Sequence, residues 1–167
     1  MENQTYSTEI VNAIKDYLDN DDWKYTFDED DGTFQFKLRI DGPVHVLEYT
    51  LWVEDDRYYL YASINLSVDP DDHEKMLNMA EFICRATAGI INGNFEFNME
   101  NGEICYKTFV NCKGIHPTDD IIASSIYAAS GMFERYMNGI CDIIFRNVPA
   151  KEAAEACDRA VETDDGE

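Results

Sequence analysis

Between residues 33 and 68 the chain alternates apolar and polar side chains with very few breaks. Phe34, Phe36, Leu38 and Ile40 share one face of a first run, and Leu47, Tyr49, Leu51 and Val53 one face of a second. Tyr58, Leu60, Ala62, Ile64, Leu66 and Val68 share one face of a third. A period of two puts every second side chain on the same side of a strand, whereas a helix would scatter those residues around its circumference. The runs predict strands over 33–40, 44–53 and 58–68. Asp41-Gly42-Pro43 and Asp55-Asp56 supply the turns. A two-residue turn at Asp55-Asp56 pairs Val53 with Tyr58 and Leu51 with Leu60, so apolar residues oppose apolar residues, as a consistent register demands. Trp23, Tyr25 and Phe27 alternate in the same way ahead of the turn Asp28-Glu29-Asp30-Asp31-Gly32, adding a strand at the front.

Helices flank this group. Ile10, Val11, Ile14, Tyr17 and Leu18 make a stripe with steps of three and four over residues 8–20, with Ser7 or Thr8 as N-cap. Asp69-Pro70 reads as an N-cap followed by proline in the first turn. From there Met76, Leu77, Ala80, Ile83, Cys84, Thr87 and Ile91 predict a helix ending near Asn92-Gly93. Phe95, Phe97 and Met99 lead into Asn101-Gly102, a strong signal for a type I′ hairpin. That turn would pair Met99 with Ile104, Phe97 with Tyr106 and Phe95 with Thr108. Thr118 caps a long helix whose stripe is Ile122, Ile126, Ala129, Phe133, Tyr136 or Met137, Ile140 and Ile144, with Gly131 and Gly139 as weak points. Lys151–Val161 is an alanine-rich helix, and Glu162–Glu167 reads as a frayed acidic tail.

Strands in groups with helices between the groups predict an α+β domain, an antiparallel sheet with helices packed on one face, in the order α-β-β-β-β-α-β-β-α. One domain spans 1–147, and 148–167 form a short helix and the tail.

That order, together with the segment Asn92-Gly93-Asn94-Phe95-Glu96-Phe97-Asn98-Met99-Glu100-Asn101-Gly102-Glu103-Ile104-Cys105-Tyr106-Lys107, resembles the YbjN family, proteins described as bacterial sensory transduction regulators. The family is similar in fold to the type III secretion chaperones. The resemblance covers roughly residues 8–147 of this chain. It implies a small acidic cytoplasmic protein without catalytic residues, with a homodimer as one option, that holds a peptide or protein partner on its sheet or helices.

Composition narrows the function. The 34 Asp and Glu against 13 Lys and Arg leave a net charge of −21. Such a field repels phosphate, which excludes nucleic acid as a partner, and it disfavours an anionic membrane surface. No apolar run approaches the ~20 residues of a membrane span, and no signal peptide is read at the N-terminus. Five cysteines, Cys84, Cys105, Cys112, Cys141 and Cys157, are an odd number without a C-x-x-C pair. They read as reduced thiols in a cytoplasmic protein, with Cys84 and Cys141 on or beside apolar helical faces and inert. The three histidines lie apart from one another and from the cysteines, so no metal site is expected. Neither Asp19 nor Asp28 starts a loop with the glycine and glutamate spacing of a calcium site. Ser124-Ser125 lacks the context of a nucleophile elbow, and the glycines do not form a phosphate cradle. No cofactor and no catalysis are expected.

One constellation stands out. The predicted register sets Trp52 opposite Tyr59 and Thr50 opposite Tyr61 on the face away from the core. The neighbouring strand adds Gln35, Lys37 and Arg39. Lys37, Arg39, Trp52, Tyr59 and Tyr61 therefore form a basic, aromatic spot on an acidic protein. It reads either as cross-strand stabilisation, with Lys37 answering Glu48, or as a partner-binding surface, since aromatics and arginine are enriched where interfaces carry their energy. The small residues Ala123, Ala128, Gly131 and Gly139 on the long helix offer a second approach, for packing against the sheet or for a homodimer. The expectation is a non-catalytic adaptor or chaperone-like regulatory module. The alternative is a small-molecule sensor or an enzyme with a pocket between sheet and helices.

Overall fold

The computed structural model describes residues 6–164, with side chains described to residue 160. The chain runs α1 (Thr8–Asn20), β1 (Tyr25–Asp28), β2 (Thr33–Arg39), β3 (Val46–Val53), β4 (Arg57–Ser67), α2 (His73–Thr87), β5 (Asn94–Phe97), β6 (Glu103–Asn111), α3 (Asp119–Arg146) and α4 (Ala150–Asp164). All six strands form one antiparallel sheet in the order β1-β2-β3-β4-β6-β5. The fold is α+β, as the alternation predicts, and the helices lie on one face of the sheet.

The β3–β4 hairpin takes the expected register, with Val53 opposite Tyr58, Leu51 opposite Leu60 and Trp52 opposite Tyr59. The inward residues Phe34, Leu51, Tyr58, Leu60, Ala62 and Tyr106 are fully buried. Three buried hydroxyls on this face are satisfied by α3, and that of Tyr106 by Asn92 O, since an unpaired buried hydroxyl would cost about 1–3 kcal/mol. The Tyr49 hydroxyl donates to Ile126 O at 3.0 Å, the Tyr58 hydroxyl meets Ser125 Oγ at 3.1 Å, and Thr108 Oγ1 donates to Ser125 O at 3.0 Å. Three strands thus grip one turn of α3 and fix its height over the sheet. Ser7 caps α1 through Ile10 N–H and Thr118 caps α3 through Ile121 N–H. Asn147, in left-handed backbone at φ +52°, ends α3.

Four details differ from the sequence reading. Asp72, not Asp69, caps α2. Asp69 instead closes a tight turn, accepting Asp71 N–H on Oδ1 and Asp72 N–H on its carbonyl. The helix ends at Thr87, and its buried stripe is Met76, Met79, Phe82, Ile83 and Ala86. Leu77 and Cys84 are exposed and Ile91 fully so. Met79 and Phe82 replace Leu77 because α2 faces α3, α4 and β5 together, which turns its inner face by about one residue.

The second hairpin pairs Phe97 with Ile104 and Phe95 with Tyr106, two residues off the predicted register. Asn98 takes over the turn: its side chain accepts Glu100 N–H at 2.9 Å and its carbonyl accepts Gly102 N–H at 2.8 Å. Met99 is consequently exposed at the loop tip.

Gly131 and Gly139 do not interrupt α3, which is continuous over 28 residues. Gly131 is exposed, whereas Gly139 is buried where side chains of α2 and α4 crowd against α3. A Cβ there would stand 2.6 Å from the Phe82 ring and 2.9 Å from Cys157 Sγ.

Finally, α4 is longer than expected and belongs to the core, burying Ala150, Ala153, Ala154 and Cys157. Asn78 of α2 anchors its start, donating to Val148 O at 2.8 Å and accepting Ala150 N–H at 2.7 Å. Arg135 and the Tyr136 hydroxyl both reach Asp158. The tail predicted over Glu162–Glu167 falls partly in α4 and partly outside the described residues.

Candidate functional site: the helix-free face of the sheet

Strand parity decides which side chains reach this face. In β2, β3, β4 and β6 the residues next to the buried ones turn outward, so the registers can be followed across the sheet. One row runs Thr33, Trp52, Tyr59, Phe109, and the next runs Gln35, Thr50, Tyr61, Lys107, Asn94. Trp52 and Tyr59 stack with ring centroids 5.5 Å apart, and Tyr61 stands edge-on to both at 5.8 and 6.4 Å. These three rings are half-buried by one another. Phe109, next in the row, is 52% exposed and carries the cluster out to β6.

Cations rim the cluster. Lys107 Nζ lies 5.3 Å from the Tyr61 ring centroid and the Arg57 guanidinium 6.0 Å from that of Phe109, distances at which a cation is drawn to a ring face. A hydrogen bond with Tyr61, and then Glu96, hold the Lys107 ammonium above its usual range. Each rim cation is already paired: Lys107 with Glu96, Arg57 with Asp56 and Glu54, Lys37 with Glu48. Asp56 is correspondingly held below the usual carboxylate range by Arg57. The rim cations are thus all matched by carboxylates, and what the rim offers is aromatic surface bordered by satisfied charges.

Of the five residues singled out by sequence, Trp52, Tyr59 and Tyr61 form one contact cluster. Lys37 lies one row beyond Tyr61 and bridges to Glu48, which is the cross-strand role expected for it. Arg39 sits opposite Val46 at the end of β2, six residues from the Trp52 row, or about 20 Å at ~3.3 Å per residue. There it lines a separate small pocket with Ile40, Asp41, His45 and Glu134. Sequence reasoning missed Phe109, Lys107 and Arg57. The signal for Phe109 was available: with Ile104, Tyr106 and Thr108 inward, it is the large apolar residue at an outward position of β6.

Other chemistry on this face is subdued. Cys105 shares it, but burial, and then Glu96 and Glu103, push its thiol up to about 11, away from a reactive thiolate. No group of three or more His, Cys, Asp or Glu side chains among the described residues is arranged to hold a metal ion.

A groove of about 800 Å³ lies beside the sheet's β1 edge, lined by Trp23, Tyr25, Phe36, Leu38 and Tyr49, with Asp21, Asp22, Lys24, Lys37 and Glu48 at its mouth. All five of those charged side chains are exposed. Among the described residues no helix is long and apolar enough to cross a membrane. No family model matches this chain, and no curated protein or solved structure matches it either.

Proposed function

We propose that the chain is a non-catalytic protein-binding module, adaptor- or chaperone-like, that works in the cytoplasm and meets its partner through the helix-free face of the sheet. The observation that carries this reading is the continuous aromatic surface of Trp52, Tyr59, Tyr61 and half-exposed Phe109, on the middle strands of that face toward the end where β3 turns into β4. A one-sided sheet normally presents polar residues to water. An aromatic patch with a charged rim is the composition of an interface centre. Free cysteines support the cytoplasmic setting, and the resemblance to the YbjN family implies the same class of role.

A photoreactive phenylalanine analogue tests this when placed at Phe109 and, as a control, at exposed Leu77 on α2. Irradiation in extract of the source cells gives discrete protein adducts at position 109 and none at 77. Adducts that are equal at both positions, or absent at both, would refute the reading. Phe109 is a better probe than Trp52, because the latter's ring is half-buried and its loss also weakens the sheet.

A second reading, a small-molecule sensor, rests on the aromatic groove at Trp23 and Tyr25. It predicts a ligand co-purifying with the chain, seen in native mass spectrometry and lost in Trp23→Ala.

A further inference from the structure

The aromatic row ends on unpaired acids. Followed through Thr33 to β1, the registers set Asp28, Thr33, Trp52, Tyr59 and Phe109 side by side across five strands. Asp28 opens the turn Asp28–Asp31. The carboxylates of Asp28, Glu29, Asp30 and Asp31 are exposed, and among the described residues none of them enters an ion pair. A hollow of about 480 Å³ beside Thr33 is lined by Thr26, Asp28, Asp30, Asp31 and Gln35. A cationic group therefore gains at the β1 end of the row. An anionic one meets rim cations that are already matched.

The row also carries unused donors. Trp52 Nε1–H and the Tyr59 hydroxyl have no hydrogen-bond partner among the described residues, and neither atom is buried. Over this stretch β3 and β4 are bonded to neighbours along both edges, so an added strand finds no backbone to pair with. An α-helix uses its carbonyls in its own ladder. A polyproline II segment leaves every carbonyl free, and its proline rings pack on aromatic faces. The spacing agrees as well. Polyproline II repeats every three residues, or about 9.3 Å. Two strand spacings, about 9.6 Å, separate Phe109 from Trp52 and again Trp52 from Asp28.

We infer that the segment bound by the helix-free face is a basic, proline-rich stretch in the polyproline II conformation, lying across the strands. One proline sits on Phe109, a second three residues away on Trp52, and a lysine or arginine three residues further at the turn Asp28–Asp31. The inference deepens the proposed function and rests on it by naming the chemistry of the partner.

NMR titration of the purified full chain with acetyl-Arg-Ala-Leu-Pro-Pro-Leu-Pro-amide tests this. The indole N–H signal of Trp52 shifts, whereas that of Trp23, which packs against Tyr127 of α3, stays in place. Replacing the prolines of the peptide by alanine weakens binding about tenfold. Replacing its arginine by glutamate weakens binding about fivefold in low salt, less in 0.5 M NaCl. Asp30→Asn with Asp31→Asn narrows that arginine preference and leaves the proline preference, while Glu152→Gln with Glu155→Gln on α4 changes neither. Phe109→Ala binds weakly with an unchanged circular dichroism spectrum, and Leu77→Ala binds as the parent does. A shift confined to Trp23, equal affinities for the proline and alanine peptides, undiminished binding by Phe109→Ala, or an arginine preference indifferent to the turn substitutions overturns the inference. In extract, excess peptide suppresses the adducts formed by the photoreactive analogue at 109. If those adducts form but the peptide neither binds nor competes, the proline-rich partner fails and the protein-binding function stands. If no adduct forms and no peptide binds, both fail.

Discussion

Gly102 is the position at which one methyl group should do most damage for its size. It ends the β5–β6 loop at φ +73°, and its carbonyl accepts Val68 N–H at 3.0 Å. A Cβ there would lie 1.9 Å from Val68 O and 2.8 Å from Val68 C. Backbone atoms cannot rotate aside as a side-chain tip can, so the connection after β4 must move by more than 1 Å. Three costs combine: about 1–2 kcal/mol for a left-handed non-glycine residue, about 1–3 kcal/mol for the forced shift, and about 1 kcal/mol for the strained Val68 hydrogen bond. Gly102→Ala should therefore lose about 3–6 kcal/mol. Gly89 provides the control, with φ +84° but no atom within 4 Å of a Cβ. Gly89→Ala carries only the backbone strain, about 1–2 kcal/mol. In urea unfolding followed by circular dichroism, the stabilities of the two variants should differ by about 2–4 kcal/mol with equal m-values. In a domain of this size that amounts to roughly 4–16 °C in Tm. Equal losses in the two variants would show that the contact with Val68 does not constrain the turn.

Two glycines of α3 should respond to alanine with opposite signs. Gly131→Ala meets open space and should stabilise by about 0.5–1 kcal/mol through helix propensity, whereas Gly139→Ala drives a methyl into Phe82 and Cys157 and should lower Tm. Differential scanning calorimetry reads both, and a rise in Tm for both would refute the close approach. Asn78→Ala removes two hydrogen bonds at the α3–α4 junction and should cost about 1–3 kcal/mol in chemical denaturation; a neutral effect would mean that the junction is held by packing alone. Alkali should unfold the protein in a defined window. Burial raises Tyr106 and Tyr136 to about 12 and Cys105 to about 11, while the unfolded chain releases these protons near ~10 and ~8.5. A raised folded pKa gives stability that is complete below the unfolded value and lost as pH climbs through the folded one. Stability should thus hold to about pH 8.5 and fall through pH 11–12, with part of the tyrosine absorbance change appearing only on unfolding. Reversible titration of all ten tyrosines near pH 10 in folded protein would contradict this.

Local pairing was legible and distant pairing was not. Val53 opposite Tyr58 follows from a tight turn and a strict period of two. The second hairpin shows the limit of that reasoning. A slip of two residues keeps Phe95, Phe97, Ile104 and Tyr106 on the same face, so the apolar pattern cannot tell the registers apart. The Asn98 side chain, bonding its own backbone two residues on, made the choice. In α2, Leu77 and Phe82 fit steps of three and four equally well, and only the positions of α3 and α4 decide which is buried. The candidate site was partly readable for the same reason. Trp52, Tyr59 and Tyr61 lie within one hairpin. Phe109 and Lys107 join them through the β4–β6 pairing, which no turn signal announces.

That pairing also shapes how the chain must emerge from the ribosome. Strands β1 to β4 form a meander that can close as it is made, but β4 is an interior strand whose second edge waits for β6. At about 5–20 residues per second, the stretch from Ser67 to Asn111 takes roughly 2–9 s to appear. Throughout that interval one of the longest strands of the nascent chain presents an unpaired edge, the kind of template that recruits stray strands. The acidic pair Asp55-Asp56 at the start of β4 is already synthesised by then, and like charge on neighbouring nascent chains opposes their approach to that end of the edge until β6 seals the gap.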